Sequence, residues 1–407
     1  MQSVADFRAD AEAFLATHAS RLDRDVSGWE VGSDAVGAYQ VLTDAEAAAA
    51  IEAARRWRRT LFDAGFGWVS GPVEYGGRGL TLEHERAFLA CEAGYDVPAQ
   101  TAFGSTIGMI APSVLAHGPA WMRDELLAAM HRGDVLACQL LSEPGAGSDL
   151  AALRTTARRD GDEWVIDGQK VWSSNAHHAD VGLLLARSDI NAPARRGTTM
   201  FLLPLRGPHA PGGVDIRPLR QMTGAADFNE VFLTGVRVHD RYRVGEVHGG
   251  WDVLRTTLGN ERAAIGAGGA GYGGAGLAGL APPDRVIQLI RHLGVDSDPL
   301  VRQDVARLVS GYEITRFTAL RTASALAAGR EPGPWTATSK LFLSQHLNRS
   351  AGTIARILGA RITADSGEWG TFAWNQLLLG VVGVRIGGGT DEILRNTIAE
   401  KVLGLPR

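Results

Sequence analysis

Cysteine is nearly absent from this 407-residue chain. Two residues, Cys91 and Cys138, make no disulfide framework and no metal-ligand spacing, so a reducing cytoplasm fits and no metal site is expected. No apolar stretch approaches the roughly 18 residues of a membrane span. The N-terminus, MQSVADFRADAEAFLATHAS, has acids early and no basic segment before an apolar core, which excludes a signal peptide. It reads instead as an amphipathic helix with Val4, Phe7, Ala11, Phe14 and Leu15 on one stripe. Charge of one sign is also missing. A formal net charge of −4 gives no reason to expect nucleic acid or an anionic membrane as a partner. What remains is ordinary globular composition, 45% hydrophobic and 21% charged, over a length that holds two or three domains.

The most informative stretch runs from Cys138 to Ala179. Ser142-Glu143-Pro144-Gly145-Ala146-Gly147-Ser148-Asp149 sets two glycines and a proline among hydroxyl and acidic side chains, which suits neither a helix nor a strand interior. It reads as a tight loop whose N–H groups and hydroxyls are free to meet a ligand. Trp164-Val165-Ile166, Asp167-Gly168 and Gln169-Lys170-Val171-Trp172 then read as strand, two-residue turn and strand, because Asp-Gly between apolar runs is a strong hairpin signal.

The surrounding chain falls into three parts. Residues 1–135 carry helical periodicity at Ala45 to Leu61, from a Thr81 N-cap through Tyr95, at Thr106 to His117 and at Pro119 to Arg132. A loop rich in glycine, residues 65–79, interrupts them. Residues 136–243 shift to a period of two, with short strands expected around Gly182–Arg187, Thr198–Pro204, Val214–Arg217 and Asn229–Leu233, the pattern of a small barrel or sandwich. Residues 244–407 return to helix: Gly250 through Arg262, then Val301 to Ala328, Trp335 to Leu358 and part of Asn375 to Val384. Ala281-Pro282-Pro283 is expected to be a loop. Gly266 to Gly271 fits Gly-x-Gly-x-x-Gly, but no strand precedes it, so it reads as a glycine-rich helix rather than a dinucleotide fingerprint. Thr390 is a natural N-cap for a last helix with Ile393, Leu394, Ile398 and Val402 on its stripe.

Several of these runs resemble the acyl-CoA dehydrogenase family of flavoproteins. Leu141-Ser142-Glu143-Pro144 through Gly147-Ser148-Asp149 and Gly168-x-Lys170-x-Trp172-Ser-Ser-Asn175 are similar to its two flavin-lining signatures. Trp68 through Gly79, Phe228 to Val238 and Gly387 to the C-terminus match further family patterns, so the likeness covers nearly the whole chain. The resemblance implies a mainly α fold with a central β-barrel domain: a helical N-terminal domain, the barrel, and a C-terminal four-helix bundle. It implies FAD as cofactor, an acyl-CoA substrate and an electron-transfer flavoprotein as acceptor. It also implies a homodimer or homotetramer, or a heterotetramer with a related subunit.

The chemistry that the family performs takes a proton from the carbon next to a thioester carbonyl and passes a hydride from the following carbon to flavin N5. Its base is a carboxylate in a dry site, where desolvation raises the pKa. One family position for it lies before Gly389-Thr390, where this chain has Gly388. The other precedes an arginine on the helix after the β domain, and here that pair is Glu261-Arg262. The resemblance therefore implies Glu261 as the base, although most helix carboxylates are solvated or ion-paired. It assigns Leu141, Ser142, Gly147, Ser148, Trp172, Ser174, Thr390 and Glu392 to the cofactor, and Ser148, Arg262, Gly388 and Gly389 to the substrate. As bare residues, Trp172 reads as core and Ser142 as a turn former.

Two departures keep other readings open. An Arg-x-x-Phe-Gly run, whose arginine in the family reaches the FAD of a neighbouring subunit, is missing, and Asp298-Pro-Leu-Val-Arg302-Gln303 occupies that region. This looks like a bacterial subgroup that takes bulky acyl-CoAs, including sterol side chains, some of whose members are two-subunit heteromers. The alternatives are a flavin monooxygenase or N-hydroxylase on the same fold, and a non-catalytic partner subunit.

Overall fold

A computed structural model describes residues 2–22, 41–266, 280–330, 333–368 and 370–406. The first five helices are α1 (Val4–His18), α2 (Asp44–Asp63), α3 (Leu82–Glu92), α4 (Ala111–His117) and α5 (Ala120–Arg132). Their starts are set by local chemistry. Ser3 accepts the Asp6 N–H at the head of α1, and Thr43 and Glu46 form a reciprocal capping box at the head of α2. The α1 stripe buries Phe7, Ala11 and Leu15 against Trp57, Phe66 and Phe88. Thr81 stands at the N-cap of α3, but its hydroxyl bonds Nδ1 of His84 at 2.7 Å instead of an orphan amide. The histidine three residues on outcompetes the backbone for it.

The middle of the chain is one eight-stranded sheet. Its strands are β3 (Ala137–Leu140), β4 (Thr156–Asp160), β5 (Glu163–Ser174), β6 (Val181–Arg187), β7 (Thr198–Pro204), β8 (Val214–Leu219), β9 (Phe228–His239) and β10 (Arg243–Val244). The ladder runs β10-β7-β6-β4-β5-β9-β8, with β3 parallel to β6. A separate two-stranded ribbon pairs β1 (Ser20–Arg21) with β2 (Tyr95–Asp96). β6 and β7 are apolar on both faces for a physical reason. Leu183, Leu185, Met200 and Leu202 pack on helices, whereas Leu184, Ala186, Phe201 and Leu203 join the core of the sheet module.

The Asp167-Gly168 hairpin is not formed. β5 continues straight through it along β9, with a register shift between Ile166 and Gly168. Asp167 accepts the Gly235 N–H at 2.7 Å, and a Cβ at Gly168 would lie 2.7 Å from Thr155 Cα, so the pair marks a bulge at a close approach. The turn falls one Asp-Gly earlier, at Gly161-Asp162 between β4 and β5, with Gly161 at φ +64°.

The C-terminal helices are α6 (Gly250–Gly266), α7 (Pro283–His292), α8 (Pro299–Ala327), α9 (Ala337–Leu358), α10 (Trp374–Val384) and α11 (Asp391–Thr397). α7 is absent from the sequence expectation, which put a loop at its prolines. Pro282 is its N-cap and Pro283 its first residue, where a missing N–H is harmless, and Val286, Leu289 and Ile290 fix it to the bundle core. Gly266 closes α6, and the rest of the Gly266 to Gly271 run lies outside the described residues. Among the described residues no helix is long and apolar enough to cross a membrane.

Candidate active site

The loop after β3 is built on a buried ion pair. Lys170 of β5 is fully buried and donates from Nζ to Leu141 O at 3.1 Å and to Glu143 Oε1 at 2.8 Å. Glu143 also accepts the N–H groups of Arg154 (2.6 Å) and Thr155 (2.9 Å). Burial pushes the Lys170 ammonium down to about 8, against the pull of Glu143. Burial pushes Glu143 up, but Lys170 and the hydrogen bonds outweigh it and leave its carboxyl below the ordinary range. Glu143 and Ala146 exchange two backbone hydrogen bonds of 3.0 Å, and Val171 N–H bonds Ser142 O at 2.9 Å, so the loop is pinned to β5. Neither Glu143 nor Lys170 is among the residues assigned to cofactor or substrate, yet each is the central charge of one motif.

The rest of the loop faces outward. Gly147 and Ser148 are exposed, Ser142 is half-buried, and a Cβ at Gly145 or Gly147 would meet nothing within 4 Å. Trp172 follows the clamp at φ +62°, a left-handed conformation rare for a large side chain, where β5 and β9 slip register again. Its indole is 61% exposed and meets Phe228 edge-on at 5.9 Å. This is not the core tryptophan that the bare residue suggests. Ser173 Oγ beside it is buried with no partner among the described residues, and Ser174 is half-buried.

Glu261 lies on α6, half-buried. Its carboxylate is faced by the Gln139 side chain of β3, by the Gly388 N–H and by the charges of Arg262 and Lys340, all of which favour its ionised form, while the Gln139 amide hydrogen-bonds Met109 Sδ at 3.4 Å. Burial is the largest influence and raises its pKa above the ordinary 4.5. Burial likewise lowers that of Arg262, whose Nε is buried without an acceptor among the described residues. Gly388 and Gly389 form a turn with φ of +71° and +101°, conformations that a glycine adopts without strain. Thr390 caps α11 by accepting the Ile393 N–H, whereas Glu392 is exposed and 3.8 Å from Arg395. The structure thus brings Glu261, Arg262 and Gly388 together. Gln139, two residues before Leu141 and missed in the sequence, lies beside Glu261. Its signal was a lone amide in the apolar run Leu136 to Leu141.

The chain is thus helical, then sheet, then helical, with a clamped open loop after β3 and a half-buried carboxylate on α6. Family models for the acyl-CoA dehydrogenase middle domain and C-terminal domain match residues 138–236 and 248–403. The chain belongs to the acyl-CoA dehydrogenase family, whose members are FAD-dependent oxidoreductases. It is 36% identical over 359 residues to acyl-CoA dehydrogenase IpdE1 of Mycobacterium tuberculosis, covering 88% of this chain and 89% of that one. It is 38% identical over 301 residues to FadE34 of the same organism, covering 73% of this chain and 39% of that protein. Among solved structures, the Tcur3481-Tcur3483 steroid ACAD superposes with a TM-score of 0.77 at 27% identity, over 100% of this chain and 99% of that one.

The residues present fit FAD. The exposed Trp172 offers an aromatic face, the Ser142 and Ser148 hydroxyls have no partner among the described residues, and Ser173 Oγ is an orphan beside them. Open glycines at 145 and 147 let a ligand approach the backbone.

Proposed function

We propose that Glu261 is the base of this dehydrogenase and removes the proton from the α-carbon of the acyl thioester. What supports the reading is the place of this carboxylate on α6, next to Arg262 and faced by Gln139, Lys340 and the Gly388 N–H, where burial raises its pKa. A base of raised pKa is a stronger proton acceptor, and fixed donors hold it in one orientation. Arg262 braces the carboxylate electrostatically and keeps one free donor. Gly388 has no side chain where the family alternative would place a carboxylate, and in this reading Gly388, Gly389 and Ser148 contact the substrate. FAD, when bound, supplies the acceptor for the hydride that leaves the β-carbon.

In this reading Leu141, Ser142, Gly147, Ser148, Trp172, Ser174, Thr390 and Glu392 would hold the cofactor. Trp172 supplies a direct test. Trp172→Gly removes a left-handed strain of about 1 kcal/mol and an edge contact of similar size. Urea unfolding of the apoprotein is expected to change by less than about 1 kcal/mol, while FAD retention on gel filtration falls sharply. A loss of several kcal/mol would make Trp172 a structural residue instead.

The substrate in this reading is a bulky acyl-CoA, such as one carried on a polycyclic ring system, and the working protein is an assembly with a related subunit in the cytoplasm. The similarity to a steroid ACAD named for two components supports both, as does the missing Arg-x-x-Phe-Gly run. An electron-transfer flavoprotein takes the electrons. The test is an anaerobic titration with short, branched, long and steroid-linked acyl-CoAs, followed by flavin absorption. Reduction by the bulky class alone is expected. Bound flavin that no thioester reduces would favour an oxygen-using relative, and a chain without flavin would favour a partner subunit.

A further inference from the structure

The chain has three lysines, Lys170, Lys340 and Lys401. Lys340, on α9, is fully buried. A buried ammonium is expensive, and a leucine or methionine would fill the same space at lower cost. Packing therefore does not account for it. Its Nζ donates to the carbonyl of Gly389 at 2.8 Å. That carbonyl belongs to the left-handed Gly388-Gly389 turn, whose amide end, Gly388 N–H, faces Glu261 on α6, the helix that packs against α9. Asp391 lies 1% exposed beyond the turn, but its carboxylate is taken by Arg385 at 2.7 Å and Ser344 at 3.1 Å. Lys340 is thus free to hold the turn.

We propose that Lys340 is a positioning residue for Glu261: it pins the Gly388-Gly389 turn by its carbonyl, aims the Gly388 N–H at the carboxylate, and keeps a positive charge behind the base. The proposal rests on the reading of Glu261 as the base. Glu261 is faced by Arg262 from α6, Lys340 from α9, the Gln139 amide from β3 and the Gly388 N–H. Lys340 in turn is faced by Asp391, Glu261 and Arg385. Burial brings Lys340 down to about 8, and the two carboxylates hold it up. Coupling of this kind is reciprocal: whatever Lys340 does for the ionised base, the ionised base does for Lys340.

With only three lysines, 13C labelling at Cε gives three signals whose titrations are read directly in the FAD-loaded protein. Two are expected to titrate near 8, those of Lys170 and Lys340. In Glu261→Gln one of these two should fall by roughly half to one pH unit while the other stays, because one facing anion is gone. That signal should be missing in Lys340→Arg. In Lys340→Gln and Lys340→Met the acid limb of flavin reduction should move up by about one pH unit with little change in KM, and Lys340→Arg should restore it. A merely structural lysine would lower the yield of folded protein without moving the limb. Lysine signals indifferent to Glu261→Gln would overturn the proposal even if no Lys340 variant folds. Flavin reduction that survives in Glu261→Gln would instead remove the base assignment and leave the lysine titrations untouched.

Discussion

Glu261→Gln is expected to keep FAD bound and to slow thioester-driven flavin reduction on the order of 10³-fold, within the range a positioned general base contributes. Glutamine has the same shape and keeps an oxygen that the Gly388 N–H can face, so the site stays assembled and only the proton acceptor is lost. Glu261→Asp keeps the charge but withdraws it by about one methylene, and misplacement of about 1 Å is worth about 10²-fold. A graded series of parent, Asp and Gln, measured by anaerobic stopped flow, separates a base from a brace. Equal rates in all three would sink the assignment. The pH dependence carries a sign. Burial raises the folded pKa of Glu261 above 4.5, so activity should rise with pH through a midpoint above that value as the carboxyl ionises. Stability runs the other way. A group whose folded pKa is raised contributes most below its unfolded pKa and loses that contribution as pH rises through the folded one. The melting temperature of Glu261→Gln relative to the parent should therefore climb with pH across this window.

Elements whose cause is local were legible in the sequence. The α1 stripe, the Thr390 cap and the strands at Gly182–Arg187 and Thr198–Pro204 follow from spacing and propensity, and the structure keeps all three. Features decided by distant partners were not. Asp160-Gly161 and Asp167-Gly168 carry the same turn signal, and only the ladder to β9 and the approach of Thr155 decide that the second is a bulge. Pro282-Pro283 signals a loop and a helix start equally well, and the buried face of α7 selects the start. The same limit applies at the site. Gln139, Glu261, Lys340 and Gly388 come from β3, α6, α9 and the turn before α11, and no local pattern says that they meet. Family motifs pointed to Glu261, whereas the donors around it and the lysine behind the turn emerge only from packing.

Glu143→Ala is expected to be the most destabilising single change in the middle module, by about 3–5 kcal/mol, because it strands the buried Lys170 charge. It also leaves the Arg154 and Thr155 N–H groups without their acceptor. Glu143→Gln restores an acceptor but not the charge, so it should recover part of the loss. Adding Lys170→Met to Glu143→Gln removes the stranded ammonium and should recover more, so the double variant is expected to be more stable than Glu143→Gln alone. Such non-additivity in a double-mutant cycle followed by urea unfolding distinguishes a coupled pair from two independent packing positions. If the two changes simply add, the clamp is not a unit. Acid titration supplies an independent check with its own sign. The folded carboxyl of Glu143 lies below its ordinary 4.5, so its contribution is present above that value and is lost as pH falls through the folded pKa. Lys170, brought down to about 8, behaves in the same direction at the other end: its ionised form costs stability at neutral pH, and that cost lifts as pH rises through about 8. The pair therefore marks the flavin-loop module with two predictable inflections, and Glu143→Gln/Lys170→Met should erase both while leaving those of Glu261 and Lys340 in place.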